Sequence, residues 1–306
     1  MADKPVIGFI GLGYMGHGMA KNILQNGYTL HVRGNRKRAP VDSLVGMGAK
    51  EAASAAAMAA DCDIIHLCLS NSPQVEAVIR GPDGILAGGR QGLTVIDATT
   101  SDPTSTTALA AELAAKGITL VDAPLGRTPR EAEAGTLDTM VGADVATFER
   151  IRPVIECWAG NINRTGEVGS AHKMKLVMNF ISMGYAALYS EALVMAVKSG
   201  LTPQTVEKVI GGSRLANGFF DTFMKGAVGR DLEIHKFTVA NAAKDLRYAA
   251  SMAMAAGMAN PLGAAFRNTF AQVEASGNAG DFVPMLADHV ARWNGLDLAA
   301  AVEKGK

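Results

Sequence analysis

A lysine, an amide and a hydroxyl side chain share one face of a predicted helix near the middle of the sequence. Lys175, Asn179 and Ser182 lie four and then three residues apart, which places them on the same side of a helix. An ammonium group can donate a proton and stabilise a negatively charged oxygen, while an amide and a hydroxyl can orient a polar ligand. The intervening Leu176 and Phe180 are apolar. Because polar groups on an apolar helix need partners, the stripe is either a ligand site or the solvated edge of a buried helix.

A glycine-rich turn near the N-terminus indicates which ligand such a site would use. The apolar run Val6–Ile10 leads into a turn, a helical pattern and a second strand at Tyr28–Val32. This order is typical of a dinucleotide-binding unit, in which glycines permit the tight turn, the approach of a pyrophosphate and close helix packing. The free N–H groups at the helix start then face the phosphates. The expected cofactor-binding residues of the turn are Gly11, Leu12, Gly13, Tyr14, Met15 and Gly16.

The residues after the second strand predict the choice of cofactor. NAD sites usually have an acidic residue here, which holds the ribose hydroxyls. This chain instead has Arg33, Asn35, Arg36, Lys37 and Arg38, and the next acidic residue along the chain is Asp42. A cluster of cations suits a 2′-phosphate, so we predict that NADP(H) is preferred over NAD(H). The expected contacts are Arg33, Asn35 and Arg36; the alternative is a solvated basic loop.

Alternating strand and helix patterns continue to about residue 165, and helical patterns follow. Ligands of such α/β sheets bind at the carboxyl ends of the strands. We therefore expect Leu69, Ser70, Thr100 and the loop 124–128 to surround one crevice. The fold predicted is α/β, with a Rossmann-like dinucleotide-binding domain over residues 1–165 and an all-helical substrate and oligomerisation domain over 166–306, joined by a long helix. The helices are predicted at 169–199, 203–211, 217–227, 235–257 and 261–276.

Composition excludes several classes of function. The 306 residues carry 29 basic and 29 acidic side chains, and this balance argues against nucleic-acid binding. No stretch of 18 uncharged apolar residues is present, so no membrane span is expected. Three cysteines without a CxxC pair fit a reducing compartment, and no His/Cys spacing suggests a metal site. The N-terminus runs directly into a strand, so we expect no signal peptide and a cytoplasmic location.

Four motifs in order resemble those of the β-hydroxyacid dehydrogenase family, which includes the 3-hydroxyisobutyrate dehydrogenases. They are the glycine turn, Asp122-Ala123-Pro124 with Gly135-Thr136-Leu137, the helix from Gly169 through Lys175 to Asn179, and Lys244-Asp245-Leu246. The resemblance implies an NAD(P)-dependent oxidoreductase that interconverts a small anionic aldehyde and its hydroxy form. Lys175 is the expected catalytic proton donor and Asn179 orients the substrate. Lys244 is expected to contact substrate and cofactor, or else to pair with an acid such as Asp245. A homodimer or homotetramer is expected.

The loop after Pro124 departs from the family pattern. Gly126-Arg127-Thr128 stands where the family usually has Ser-Gly-Gly, and this loop, with Ser182, resembles the sulfolactaldehyde reductase subgroup. Met178 and the basic cofactor loop depart from that subgroup. The substrate predicted is sulfolactaldehyde, reduced with NADPH to 2,3-dihydroxypropane-1-sulfonate, and the residues predicted to bind it are Gly126, Arg127, Thr128, Asn179, Ser182 and Lys244.

Three alternatives to this prediction stay open. The substrate could be a carboxylate, such as 3-hydroxyisobutyrate or a tartronate semialdehyde. A non-enzymatic dinucleotide-binding assembly module and an imine reductase are more remote. Relatives with those two functions lack the catalytic lysine, whereas Lys175 is present here.

Overall fold

A twisted, mostly parallel sheet forms the first part of the chain in the computed structural model, which describes residues 4–306. The expectation about a signal peptide involves residues 1–3, which lie outside the described residues. Over the described range the sheet has nine strands. They are β1 (Ile7–Ile10), β2 (Leu30–Arg33), β3 (Lys50–Glu51), β4 (Ile64–Leu67), β5 (Thr94–Asp97), β6 (Thr119–Asp122), β7 (Leu125–Gly126), β8 (Leu137–Gly142) and β9 (Ala159–Gly166).

The strand order is β3-β2-β1-β4-β5-β6-β8-β7, and β9 pairs with β8. All pairings from β3 to β6 are parallel, whereas β8 is antiparallel to β6 and β7. The chain order reverses direction between β1 and β4, which creates the crevice where α/β sheets bind dinucleotides. The fold class predicted from the sequence is confirmed.

Helices connect the strands and make up the remainder of the chain. The first eight are α1 (Gly16–Gln25), α2 (Ala39–Gly46), α3 (Ala55–Asp61), α4 (Ser72–Arg80), α5 (Ile85–Gly88), α6 (Pro103–Ala114), α7 (Pro129–Ala134) and α8 (Val145–Ile155). The others are α9 (Ser170–Lys198), α10 (Pro203–Gly211), α11 (Gly218–Ala227), α12 (Val239–Ala255), α13 (Pro261–Val273), α14 (Leu286–Trp293) and α15 (Leu298–Lys304). A π-helical turn follows α13 at Glu274–Asn278, and a 3-10 turn, Val283–Met285, precedes α14.

The chain divides into two compact units, and the division falls between Lys175 and Leu176 within α9. In the first unit, successive residues of each strand face opposite sides of the sheet. Phe9 and Ile64 contribute to one buried cluster, while Ile65 and Leu67 contribute to the other. The second unit has its own core around Phe220, Phe223 and Phe270. The domain boundary predicted near residue 165 stays a prediction.

Some elements differ from the sequence-based expectation. Strand signals were expected to stop near residue 165, and the strand β9 was not predicted. Its residues are mostly exposed and polar, so they lack the apolar alternation by which a strand is recognised. The two short helices α14 and α15 were also missed.

The helix α9 combines unusual length with apolar character. Over the described residues it is the one helix long and apolar enough to cross a membrane, with a mean hydropathy of 1.5 over 18 residues, of which 44% are buried. Length and composition alone are weak evidence, because a core helix passes the same test. Met183, Leu193 and Val194 of α9 belong to the buried core of the second unit.

Candidate active site

The glycine turn after β1 is shaped for close backbone contact. Gly11 has φ +99°, and a Cβ there would lie 2.3 Å from the carbonyl oxygen of Cys68. At Gly16 a Cβ would lie 1.9 Å from the oxygen of Gly11, so no larger residue fits. A Cβ at Gly13, in contrast, would meet no protein atom within 4 Å. The helix α1 starts here without a side-chain cap or an acidic residue in its first turn. Open space at Gly13 beside uncapped helix N–H groups fits a pyrophosphate.

The loops after β4 and β5 meet at the same edge of the sheet. The backbone N–H of Leu69 donates to the Thr99 hydroxyl at 3.0 Å, and Ser70 N–H donates to Gln74 at 3.2 Å. Leu69 and Ser70 follow β4, and Thr100 follows the neighbouring β5, so these three predicted residues lie at the same edge of the sheet. Thr99, which was not predicted, joins the two loops. They lie at the carboxyl ends of the strands, where a dinucleotide would pass.

The basic segment after β2 has partners that the sequence did not suggest. The Arg33 guanidinium donates to the carbonyl oxygens of Ala52, at 3.3 Å, and of Ala53. Arg38 donates to both oxygens of Glu51, at 2.6 and 2.8 Å, and to Asp42 at 2.9 Å. These hydrogen bonds hold the pKa of the Glu51 carboxyl below its usual range.

The expectation that no acid lies near the end of β2 therefore has to be corrected. Along the chain the first acid is Asp42, but the parallel pairing of β2 and β3 sets Glu51 opposite Val32. Asn35 and Arg36 remain exposed.

The loop that carries Gly126, Arg127 and Thr128 is internally paired. Arg127 Nε lies 2.9 Å from Asp138 Oδ2, in a half-exposed ion pair. Thr128 caps α7: its N–H donates to Glu131 at 3.1 Å, and its hydroxyl donates to the same carboxylate. Arg127 has φ +73°, in the left-handed region that favours glycine. The Arg127 and Thr128 side chains, which the sequence predicted to bind the substrate, thus already have carboxylate partners, on β8 and in α7 respectively.

A buried carboxylate caps the start of α9. Asp122, the last residue of β6, accepts the backbone N–H of Gly169 at 2.6 Å through one oxygen and that of His172 at 2.7 Å through the other. The His172 ring is buried, and its Nδ1 lies 2.7 Å from the Thr106 hydroxyl. A negative charge at a helix N-terminus is favourable, so Asp122 fixes the helix that carries Lys175.

Another buried carboxylate holds the amide of Asn179. Asn179 Nδ2 donates to Asp245 Oδ2 at 2.6 Å, and Lys244 Nζ lies 3.2 Å from Asp245 Oδ1. Lys244 Nζ also lies 5.6 Å from the centre of the Tyr248 ring. The structure thus brings Asn179 and Lys244 together through Asp245. The Ser182 hydroxyl donates back to the carbonyl of Asn179 at 3.3 Å.

Three carboxylates, Asp122, Asp245 and Glu51, bind other residues of the candidate site, and the sequence analysis assigned none of them as a site residue. Asp122 and Asp245 each stand inside a motif that the sequence already marked, so a search for buried acids within those motifs would have found them. Glu51 carried no such signal, because only strand pairing brings it close. Across residues 4–306, no three His, Cys, Asp or Glu side chains are grouped as metal ligands.

Comparison with known proteins decides the family. Residues 6–166 match the family model described as the NAD binding domain of 6-phosphogluconate dehydrogenase. Residues 169–287 match the family model described as NAD-binding of NADP-dependent 3-hydroxyisobutyrate dehydrogenase. The chain is 35% identical over 271 residues to the 3-sulfolactaldehyde reductase of Escherichia coli, covering 89% of this chain and 91% of that protein.

The chain belongs to the 3-hydroxyisobutyrate dehydrogenase family of β-hydroxyacid dehydrogenases. It is therefore an NAD(P)-dependent oxidoreductase, and the resemblance inferred from its motifs is confirmed. Within this family it is 41% identical over 207 residues to 2-(hydroxymethyl)glutarate dehydrogenase of Eubacterium barkeri, covering 68% of each protein. The solved structure of Mycobacterium tuberculosis 3-hydroxyisobutyrate dehydrogenase with L-serine is similar in fold. Its TM-score is 0.85 at 26% identity, and the match covers 94% of this chain and 99% of that one.

Proposed function

We propose that this family member is an NADP-preferring enzyme that interconverts a small anionic aldehyde and its primary alcohol, with Lys175 as the proton donor. The observation that carries the proposal is the way in which Asn179 is held. Lys175 lies one helical turn before Asn179 on α9, and Asp245 fixes the Asn179 amide with its nitrogen toward the carboxylate. The amide oxygen of Asn179 is then oriented to accept a hydrogen bond from a substrate hydroxyl.

Lys175 would transfer a proton to the substrate when its carbonyl group is reduced. The nicotinamide cofactor, when bound, supplies the hydride. The Lys175 ammonium stabilises negative charge on the carbonyl oxygen and donates the proton that makes it a hydroxyl. In the reverse direction the neutral amine removes that proton. Asn179, whose amide oxygen is an acceptor, orients a hydroxyl group of the substrate or of the alcohol product.

Substitution of Lys175 tests this role. Lys175→Ala should lower turnover by about 10²–10⁴, the usual contribution of a general acid. NADPH binding, followed by fluorescence, should be unchanged. Lys173→Ala is the matched control, since Lys173 is exposed on the same helix two residues earlier. Turnover near the wild-type value in a folded Lys175→Ala enzyme would show that another group donates the proton.

The cofactor preference is carried by Asn35 and Arg36, which are exposed at the end of β2. Charge-assisted hydrogen bonds to a 2′-phosphate should favour NADP by about ten- to a hundredfold in kcat/KM. Steady-state rates with both cofactors measure the ratio. Equal or better efficiency with NAD would contradict the proposal.

The substrate that we propose first is sulfolactaldehyde, reduced to 2,3-dihydroxypropane-1-sulfonate. Arg127 supports it, because an arginine fork suits an oxyanion head group. Its ion pair with Asp138 is half-exposed, and such pairs contribute little stability, so a substrate anion can take the place of Asp138. The 3-sulfolactaldehyde reductase relative adds support from sequence.

A carboxylate substrate is the second candidate, and a specific observation favours it. Thr128 donates its hydroxyl to Glu131 within the α7 cap, which removes one of the donors expected for a third sulfonate oxygen. The relative with 41% identity is named 2-(hydroxymethyl)glutarate dehydrogenase. A hydroxymethyl carboxylic acid is therefore a reasonable alternative.

A substrate panel distinguishes the two candidates. Sulfonate and carboxylate alcohols of equal length, together with 2-(hydroxymethyl)glutarate, should be compared in NADP-linked oxidation. The sulfonate proposal predicts a preference of about tenfold or more for dihydroxypropanesulfonate, reduced in Arg127→Gly. Asp138→Asn, which removes the competing carboxylate, should lower KM for the preferred anion. A wild-type preference for a carboxylate would replace the first candidate by the second. The cytoplasmic location and the homo-oligomer stay predictions.

A further inference from the structure

A trio of charged side chains lies beside the end of β2, where the adenosine ribose of a dinucleotide binds in such sheets. Arg38 is at its centre, bound in a fork by Glu51 and through Nε by Asp42. Glu51 ends β3 and is paired in register with Val32, one residue before the end of β2. A carboxylate thus stands next to the position where NAD-dependent sheets place their ribose-binding acid.

The ion pair between Arg38 and Glu51 contributes little to the stability of the fold. The side chains of Arg38 and Glu51 are 60% and 42% exposed, and exposed ion pairs contribute little to folding. Its effect is on local charge. One guanidinium and two carboxylates sum to −1, whereas without Arg38 the two carboxylates leave −2. A 2′-phosphate carries a charge close to −2 at neutral pH, so the unmasked acids would repel it.

We infer that Arg38 is a specificity-determining residue that acts through Glu51: it neutralises the carboxylate and thereby lets the end of β2 accept the 2′-phosphate of NADP. Arg38 does not itself bind the phosphate, because two carboxylates hold its guanidinium through three hydrogen bonds, whereas Arg127 pairs with one carboxylate. The exposed Arg36 is the direct contact. The inference rests on the proposed NADP preference.

The experiment is a double-mutant cycle on the full-length protein. Calorimetric titration with 2′,5′-ADP and with 5′-AMP, at low ionic strength, isolates the contribution of the 2′-phosphate. Arg38→Gln should weaken 2′,5′-ADP binding by about three- to tenfold without weakening AMP binding, because a freed Glu51 repels a phosphate but not a ribose hydroxyl. Added salt should reduce the difference. Arg38→Lys, which keeps the charge without the fork, should stay close to wild type.

The deciding variant carries both Arg38→Gln and Glu51→Gln. Its local charge is again −1, so the inference predicts recovery of 2′,5′-ADP binding to within about twofold of wild type. A double variant as weak as Arg38→Gln would show that Arg38 contacts the phosphate directly and would overturn the inference, as would an unchanged Arg38→Gln protein. A wild-type protein without preference for 2′,5′-ADP over AMP would overturn the NADP proposal as well. Circular dichroism of each variant confirms that the fold is retained.

Discussion

At the scale of single residues, Asp245 joins two side chains that the sequence assigned separately to the site. Its carboxylate is buried and is shared between the amide of Asn179 and the ammonium of Lys244. A buried carboxylate needs such partners, because its desolvation is costly. The prediction that Lys244 serves the site and the alternative that it pairs with Asp245 are thus compatible.

Loss of the Asp245 charge should affect catalysis more than folding. Asp245→Asn keeps the shape of the side chain but removes the charge that orients Asn179 and balances Lys244. We expect kcat to fall by about ten- to a hundredfold, as for a lost charge-assisted hydrogen bond of roughly 1.5–3 kcal/mol. Steady-state kinetics measure the effect. Arg247→Gln, which removes an exposed pair on the same helix, should change kcat less than twofold, roughly the effect of an exposed ion pair. Similar losses in both variants would rule out a specific role for Asp245.

His66 provides a pH-dependent contribution to stability in the first unit. Its ring is buried against Phe9 and Trp158, and among the described residues neither ring nitrogen has a hydrogen-bond partner. Burial lowers the pKa of His66 to about 3. An unfolded chain takes up a proton near pH 6.5 and the folded chain does not, so stability decreases as the pH falls from about 6.5 toward 3.

His66→Phe should remove this dependence. Relative to the variant, the wild-type protein should lose about 2 kcal/mol between pH 7 and pH 5, because each pH unit below the unfolded pKa contributes about 1.4 kcal/mol. Urea unfolding at the two pH values measures the difference. His31→Phe, on strand β2 of the same sheet, controls for general effects of histidine loss. Parallel pH profiles of wild type and His66→Phe would refute the assignment.

At the scale of elements, the start of α9 depends on the carboxylate at the end of β6. Asp122 accepts two backbone N–H groups, and Gly142 lies so close that a Cβ there would be 2.2 Å from Asp122 Oδ1. The first turn of α9 is therefore bound to the sheet. Lys175 follows less than one turn after His172, so its position depends on this cap.

Asp122→Asn should loosen the helix start. Asparagine retains one acceptor but turns an N–H₂ donor toward the other backbone N–H, which should cost about 1–3 kcal/mol of stability. Turnover should fall while cofactor affinity changes little. Asp144→Asn is the matched control, because Asp144 caps α8 at the surface and asparagine caps equally well. An Asp122→Asn enzyme with wild-type melting temperature and turnover would contradict this role of the cap.

The sequence predicted those helices and strands that are marked by residues close together in the chain. Pro203 begins α10 as expected, because proline in the first turn of a helix is a chain-local signal. The residues of β9 carry no such pattern, since they pair at the sheet edge with polar side chains exposed. The Arg38–Glu51 pair joins residues 13 positions apart through strand pairing, which no periodicity in the sequence encodes. The internal partner of Arg127 escaped prediction for the same reason.

At the scale of the whole molecule, each unit has its own buried core, and the dinucleotide turn belongs to the first. Clusters on the two faces of the sheet stabilise that unit, and the Phe220, Phe223 and Phe270 cluster stabilises the second. Ligand binding stabilises only the state that binds, so the cofactor should act first on the unit that contains β1 and α1.

Cofactor binding should therefore protect the chain unevenly. NADP at a hundred times its Kd adds about 2.7 kcal/mol to the stability of the binding state. Hydrogen exchange followed by mass spectrometry should show slower exchange in peptides covering β1 and α1. Peptides from α14 and α15 should change little. NAD at the same concentration should have a smaller effect. Equal protection in every peptide would mean that the two cores unfold as one.

The backbone of Arg127 has a consequence for how the protein would respond to selection. The backbone of Arg127 lies in the left-handed region, which glycine adopts without strain and which is unfavourable for residues with a Cβ. Arg230 has a similar φ of +63°, but its guanidinium binds Asp288 and the carbonyl of Ala227. A codon library at Arg127 selected for heat resistance alone should therefore enrich glycine and asparagine, whereas a library at Arg230 should keep arginine. Selection of the same Arg127 library for turnover of an anionic substrate should return arginine, and sequencing of both pools would read out the conflict between the two demands directly.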